Sequence, residues 1–119
     1  MISATIQTVL QQLCNSFSPV INSDTMPATP FCVHEEKVSS PLRYKEGIYG
    51  FDYDLTVVVV GDTDSQVDPI VESIIETIEM LSNSIIDQAS FESSTGLQYD
   101  NENKRFHNQL NFKLLTNNL

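Results

Sequence analysis

Apolar and polar residues alternate along Ile48 to Val60, IYGFDYDLTVVVV. Tyr49, Phe51, Tyr53, Leu55, Val57 and Val59 occupy the odd positions, with Gly50, Asp52, Asp54 and Thr56 between them. A strict period of two in β-branched and aromatic residues predicts a β-strand. At about 3.3 Å per residue this strand would span about 43 Å. A domain of this length has a radius of gyration of only about 13 to 14 Å. The strand must therefore bend sharply or run past the body of the domain as an arm.

The rest of the chain follows two other rhythms. Ile2, Ile6, Val9, Leu10, Leu13 and Phe17 recur at helical spacing, with Ser3 available as a cap. The opposite face holds Thr5, Thr8, Gln11, Gln12 and Asn15, and the first 23 residues carry no charge. Such a neutral, amide-rich face is compatible with packing against a neighbour. The stretch SFSPVINSDTMPATP, with Pro19, Pro27 and Pro30, reads as an extended loop with a short strand at Val20–Ile21. A strand follows at Phe31 to Val38, Ser39 to Gly47 form a hairpin tip, and the long strand returns from it.

Gly61-Asp62-Thr63-Asp64 ends that strand and opens a helix over Ser65 to Ser82, whose apolar stripe is Val67, Ile70, Val71, Ile74, Ile75, Ile78 and Leu81. Asp68 and Pro69 suit its first turn. Ile85 to Glu92 forms a further strand, and Ser93 to Lys104 a loop. A closing strand spans Arg105 to Leu115, with Phe106, Leu110, Phe112 and Leu114 on one face. The order is α-β-β-α-β-β. It predicts one α+β domain over residues 1–119, an antiparallel sheet of about four strands with two helices packed on it and an extended β-hairpin arm.

Charge narrows the function. Sixteen acids against six bases give a net charge of −10, which repels nucleic-acid backbone and anionic membrane. Such a surface can still line a passage through which DNA slides without sticking. Cys14 and Cys32 are too few for a disulfide framework or a zinc site, and two reduced thiols are expected. No apolar run approaches eighteen residues, and the N-terminus lacks the pattern of a signal peptide.

Candidate chemistry is sparse. Asp52-Tyr53-Asp54-Leu55-Thr56 has the letters of the DxDxT signature of haloacid-dehalogenase-type phosphotransferases, in which the first Asp attacks phosphorus and Mg²⁺ bridges both. That motif ends an apolar strand, whereas here the apolar run Val57 to Val60 comes afterwards, and no Gly-rich phosphate loop accompanies it. Val57 to Val60 with Asp62 lacks the P-loop that a Walker-B strand requires. His34 and His107, with Cys32, Glu35 or Glu36, lack metal-ligand spacing. Neither a catalytic residue nor a cofactor is expected.

The distribution of charge says more. Asp64, Asp68, Glu72, Glu76 and Glu79 share one flank of the second helix, while Lys37, Arg43 and Lys45 place half of all the bases around one hairpin tip. A solvated acidic helix face and a charged loop account for this. So does a contact between copies, in which Arg43, Tyr44 and Lys45 of one arm meet Glu72 and Glu76 of the next copy. Such a heterologous contact closes into a ring when the rotation permits.

Pro30-Phe31, the run Tyr49-Gly50-Phe51-Asp52-Tyr53-Asp54-Leu55-Thr56-Val57, the helix DTDSQVDPIVESIIETIEML and the ending ENKRFHNQLNFKLLT follow one another in order. Over about residues 2 to 116 this pattern resembles the tail-completion, or tail-terminator, minor tail proteins of long-tailed bacteriophages and prophages. The resemblance implies a homo-oligomeric ring, of six subunits, that caps the tail tube and presents a head-binding surface. The implied partners are the tail tube protein and a head-completion or connector protein. The implied location is the bacterial cytoplasm during assembly and then the head-proximal end of the virion tail. No catalytic residue transfers, because the family has none. Members often carry basic residues in the long strand where this chain has Asp52 and Asp54.

Two other readings stand beside it. Small acidic α/β chaperones of bacterial secretion systems share this size and charge, and they are dimers that hold an unfolded segment. A small metal-dependent phosphohydrolase would rest on Asp52 and Asp54.

Overall fold

The computed structural model describes residues 2–13, 15–17, 30–44, 47–81, 86–102 and 104–116. Its elements are α1 (Ile2–Gln11), β1 (Asn15–Phe17), β2 (Phe31–Tyr44), β3 (Gly47–Gly61), α2 (Asp64–Glu79), β4 (Ile86–Ser94), β5 (Gln98–Asp100) and β6 (Arg105–Thr116). The expected frame of two helices and four long strands is present, and the three-residue β1 and β5 are added to it. The strand order is β1-β2-β3-β6-β4, with β5 also pairing β6. Every pair is antiparallel except β1 with β2, so the sheet is mixed at one corner.

Alternation along β3 divides the sheet into two faces. Leu55, Val57 and Val59 are fully buried and meet Leu110, Phe112 and Leu114 of β6 under the helices. Ile6 and Leu10 of α1 and Val67, Val71, Ile74 and Ile78 of α2 complete one core. The other face of β2, β3 and β6 carries Asp54, Thr56, Asn111 and Lys113 along its middle and Phe31, Val33, Val58 and Val60 towards one end, and no described helix. Antiparallel sheets tolerate this, since one face can remain in contact with water.

Local chemistry fixes the ends of α2. Thr63 is its N-cap, with extended backbone and a hydroxyl that accepts from the Gln66 N–H at 3.2 Å. Asp64 lies in the first turn, where negative charge meets the positive end of the dipole. Because the helix starts at Asp64, Pro69 falls in its second turn rather than its first, and Asp68 moves with it. Pro69 therefore removes one interior backbone bond on an exposed side. The helix also stops at Glu79, three residues before the expected end.

Three boundaries differ for identifiable reasons. Phe17 leaves the helical pattern, because α1 ends at Gln11 and residues Asn15–Phe17 pair in parallel with Phe31–Val33. Ser39 to Tyr44 belong to β2 and not to a wide tip, since Ser40, Pro41, Leu42, Arg43 and Tyr44 all have partners on β3. The loop expected at Ser93 to Lys104 contains β5, which continues the pairing to β6 past Gly96 at φ 80°. The expected short strand at Val20–Ile21 lies outside the described residues.

The arm is real. β6 pairs with β3 only from Phe51 to Gly61, so residues 47–50 of β3 pair with β2 alone and carry the hairpin beyond the sheet. The molecule measures 52 × 28 × 23 Å with a radius of gyration of 15.2 Å, longer than a compact domain of its size.

Candidate assembly surface

The described members of the predicted contact lie on two separate elements, β2 and α2. Arg43 and Tyr44 form the last two residues of β2, paired with Ile48 and Gly47 in the arm, and Lys45 lies outside the described residues. Glu72 and Glu76 are exposed on α2, on the side away from Val67, Val71, Ile74 and Ile78. Asp64, Asp68 and Glu79 are exposed with them, and neither helix contains a base. The six bases of the chain all lie in the segments from Lys37 to Lys45 and from Lys104 to Lys113, so of the two helices only α2 is charged, with acids alone, while the strands and turns carry both signs.

Glu79 does more than complete the acidic stripe. Its Oε2 accepts from the Phe91 N–H of β4 at 3.5 Å, which places the end of the stripe against the outer side of β4. Residues 72, 76 and 79 are helical neighbours at spacings of four and three, and Glu79 is the member that reaches that strand.

The pair Asp52 and Asp54 lies on the helix-free face, in the middle of a strand and not at its end. Between the two carboxylates stands Lys113 of β6, with Nζ 2.9 Å from Asp54 Oδ1 and 3.7 Å from Asp52 Oδ2. The hydrogen bond to Asp54, aided by the charges of Asp52 and Glu92, raises the Lys113 pKa above its ordinary value against a smaller desolvation effect. The acids thus serve as partners to a lysine in a cross-strand charge pair. Neighbouring Thr56, Asn111 and Ser93 form a ladder in which Thr56 Oγ1 donates to Asn111 Oδ1 at 3.4 Å and Asn111 Nδ2 to Ser93 Oγ at 3.1 Å. With Glu35, Lys37 and Glu92 these residues line a shallow concavity of about 470 Å³.

The histidines do not meet. His34 is 1% exposed on the helix side of β2, whereas His107 lies on β6 opposite Val60 on the other face, with β3 between them. The His34 ring is held between Glu36 Oε1 at Nδ1 and Gln7 Oε1 at Nε2, each at 2.5 Å. Among the described residues no three His, Cys, Asp or Glu side chains gather as a metal site. Cys32 is a buried cysteine on the helix side of β2 that forms no disulfide, and Cys14 lies outside the described residues. No described helix is long and apolar enough to cross a membrane.

Sequence reasoning missed the Gln7–His34–Glu36 link, the role of Lys113 and the Glu79 cap on β4. Period-two alternation does place Lys113 opposite Phe112 and Leu114, hence on the polar face. Its pairing with Asp54 needed the β3–β6 register, which no local pattern supplies.

No protein-family profile matches the chain, and no curated protein matches it by sequence. Among solved structures the chain is similar to one described as "Virion of native gene transfer agent (GTA) particle". The TM-score is 0.66 at 13% identity, over 95% of this chain and 84% of that one. At this identity the likeness establishes a common fold.

Proposed function

We propose that this chain is a non-enzymatic structural protein of a phage or prophage virion, which caps the tail tube and joins it to the head as a homo-oligomeric ring. The observation that carries the reading is the fold, shared over 95% of the chain with a component of a virion particle. The sequence resemblance to tail terminators supplies the finer role, and with it a six-membered ring whose partners are the tube protein and a head-completion protein.

The projecting arm supports self-association. A two-stranded ribbon is only marginally stable in water, so one extended beyond the sheet gains from packing on another surface. The ring contact runs from Arg43, Tyr44 and Lys45 of one copy to the Glu72–Glu76 flank of the next. Opposite charge across this contact favours the heterologous arrangement and opposes helix-to-helix pairing, where acids would face acids.

A charge swap tests it. Reversing Arg43 and Lys45 to Glu weakens the oligomer and reduces its salt dependence. Adding Glu72→Lys and Glu76→Lys to the same chain restores association. A quadruple variant no better than the double variant contradicts the contact.

A further inference from the structure

We propose that the arm segment of β2 from a second copy, residues Lys37 to Tyr44, adds as an antiparallel strand to the outer edge of β4, displacing the Glu79 carboxylate that holds the place. This rests on the ring reading above and names how its subunits join.

The edge is prepared for it. β4 ends the sheet, and no described strand pairs with its outer side. Its regular stretch is Gln88 to Phe91, between two register shifts. The Phe91 N–H donates to Glu79 and so points away from β6; Ala89, two residues earlier, presents its N–H in the same direction. Such a row of outward donors and acceptors is a template for another strand. Glu79 occupies one of these donors at a long 3.5 Å, a contact that a backbone carbonyl improves upon.

Direction fits as well. From β2 to β3 to β6 to β4 there are three antiparallel steps, so β4 runs opposite to β2. A copy set alongside with its helices on the same side therefore offers β2 antiparallel to β4. Repeating that step by rotation about an axis along the strands gives the same join each time, which is what a closed ring needs. There is room for it among the described strands, because β1 borders β2 only at Phe31 to Val33.

Charge selects this partner over the symmetric ones. β4, IDQASFESS, has two acids and no base, whereas the arm brings Lys37, Arg43 and Lys45. Pairing β4 with β4 would set acids against acids. Pairing β2 with β2 would set the bases of one arm against those of the other and would bring Pro41, which has no N–H, from both edges, where the β4 join brings it from one.

Hydrogen exchange on the full chain, above and below its association concentration, reads the join directly. Amides of residues 86–94 and 37–44 are expected to slow about tenfold or more in the oligomer. Ala89→Pro removes one outward N–H and leaves the β6 side intact. It is expected to keep the melting midpoint near wild type while raising the dissociation constant about tenfold. Glu79→Ala, which frees the edge, is expected to lower that constant. An oligomer whose β4 amides exchange as in the monomer overturns the strand join alone. If Ala89→Pro does not fold, the exchange of the wild type decides. Failure to find any oligomer overturns the ring reading and this join together.

Discussion

Gln7 on α1 and His34 on β2 stand 27 residues apart in sequence and meet as a hydrogen-bonded pair at a buried junction. With Ile6 and Leu10 on the same helix, this pair ties α1 to the sheet. Replacing Gln7 with Ala leaves the His34 Nε2 facing an apolar gap in place of a partner. The expected cost is about 1 to 3 kcal/mol in urea unfolding. A Gln7→Ala variant as stable as wild type would mean that the junction contributes packing only.

Lys113 predicts a pH dependence at the alkaline end. Its pKa is raised above the ordinary lysine value by the hydrogen bond to Asp54 and then by the charges of Asp52 and Glu92. A lysine whose folded pKa exceeds its unfolded pKa contributes stability that is fully present below the unfolded value and is lost as pH rises through the folded value. The stability difference between wild type and Lys113→Met should therefore be constant to about pH 9 and shrink above about pH 10.5. Added salt should shrink it too, because the pair is open to solvent. Urea melts at several pH values check both.

Gly61 is required by crowding, not by its backbone angles. A methyl group there would lie 2.8 Å from Val67 Cγ2 and 3.1 Å from Gln66 Cβ. Val67 is fully buried and cannot yield without disturbing the first turns of α2. Gly61→Ala should destabilise the fold by about 1 to 3 kcal/mol, measured by chemical denaturation.

The two faces of α2 should separate stability from assembly. Ile74 is fully buried, and Ile74→Ala should cost about 2 to 5 kcal/mol of folding stability. Glu72→Ala and Glu76→Ala are exposed changes, each expected within about 0.5 kcal/mol of wild type in the monomer. Sedimentation at matched concentration should nonetheless register weaker association for the Glu72/Glu76 double variant. Equal association would remove this flank from the contact.

What was legible in the sequence follows from what is local. The Leu55–Val57–Val59 alternation and the Val67–Val71–Ile74–Ile78 stripe each announce one buried face, and both faces are buried as expected. Phe17 continues the helical spacing by chance, as the one apolar residue of the short strand Asn15–Phe17, and only the partner Val33 distinguishes the two. Ser39, Ser40 and Pro41 look like turn residues, so the expected strand stops at Val38. On an edge strand, where Pro41 need donate nothing inward, they continue the pairing to β3. Acidic α2 and the basic segment could be named as surfaces, but the border between the acidic stripe and β4 depended on Glu79 meeting Phe91 across the fold.

Assembly of this chain into a ring is read first from its mass in solution, by light scattering after size exclusion over a range of concentrations at low and high salt. A ring held by the arm gives a salt-sensitive equilibrium that ends at six copies of the 13.4 kDa chain, about 80 kDa. A tight dimer that neither grows with concentration nor responds to salt would contradict it.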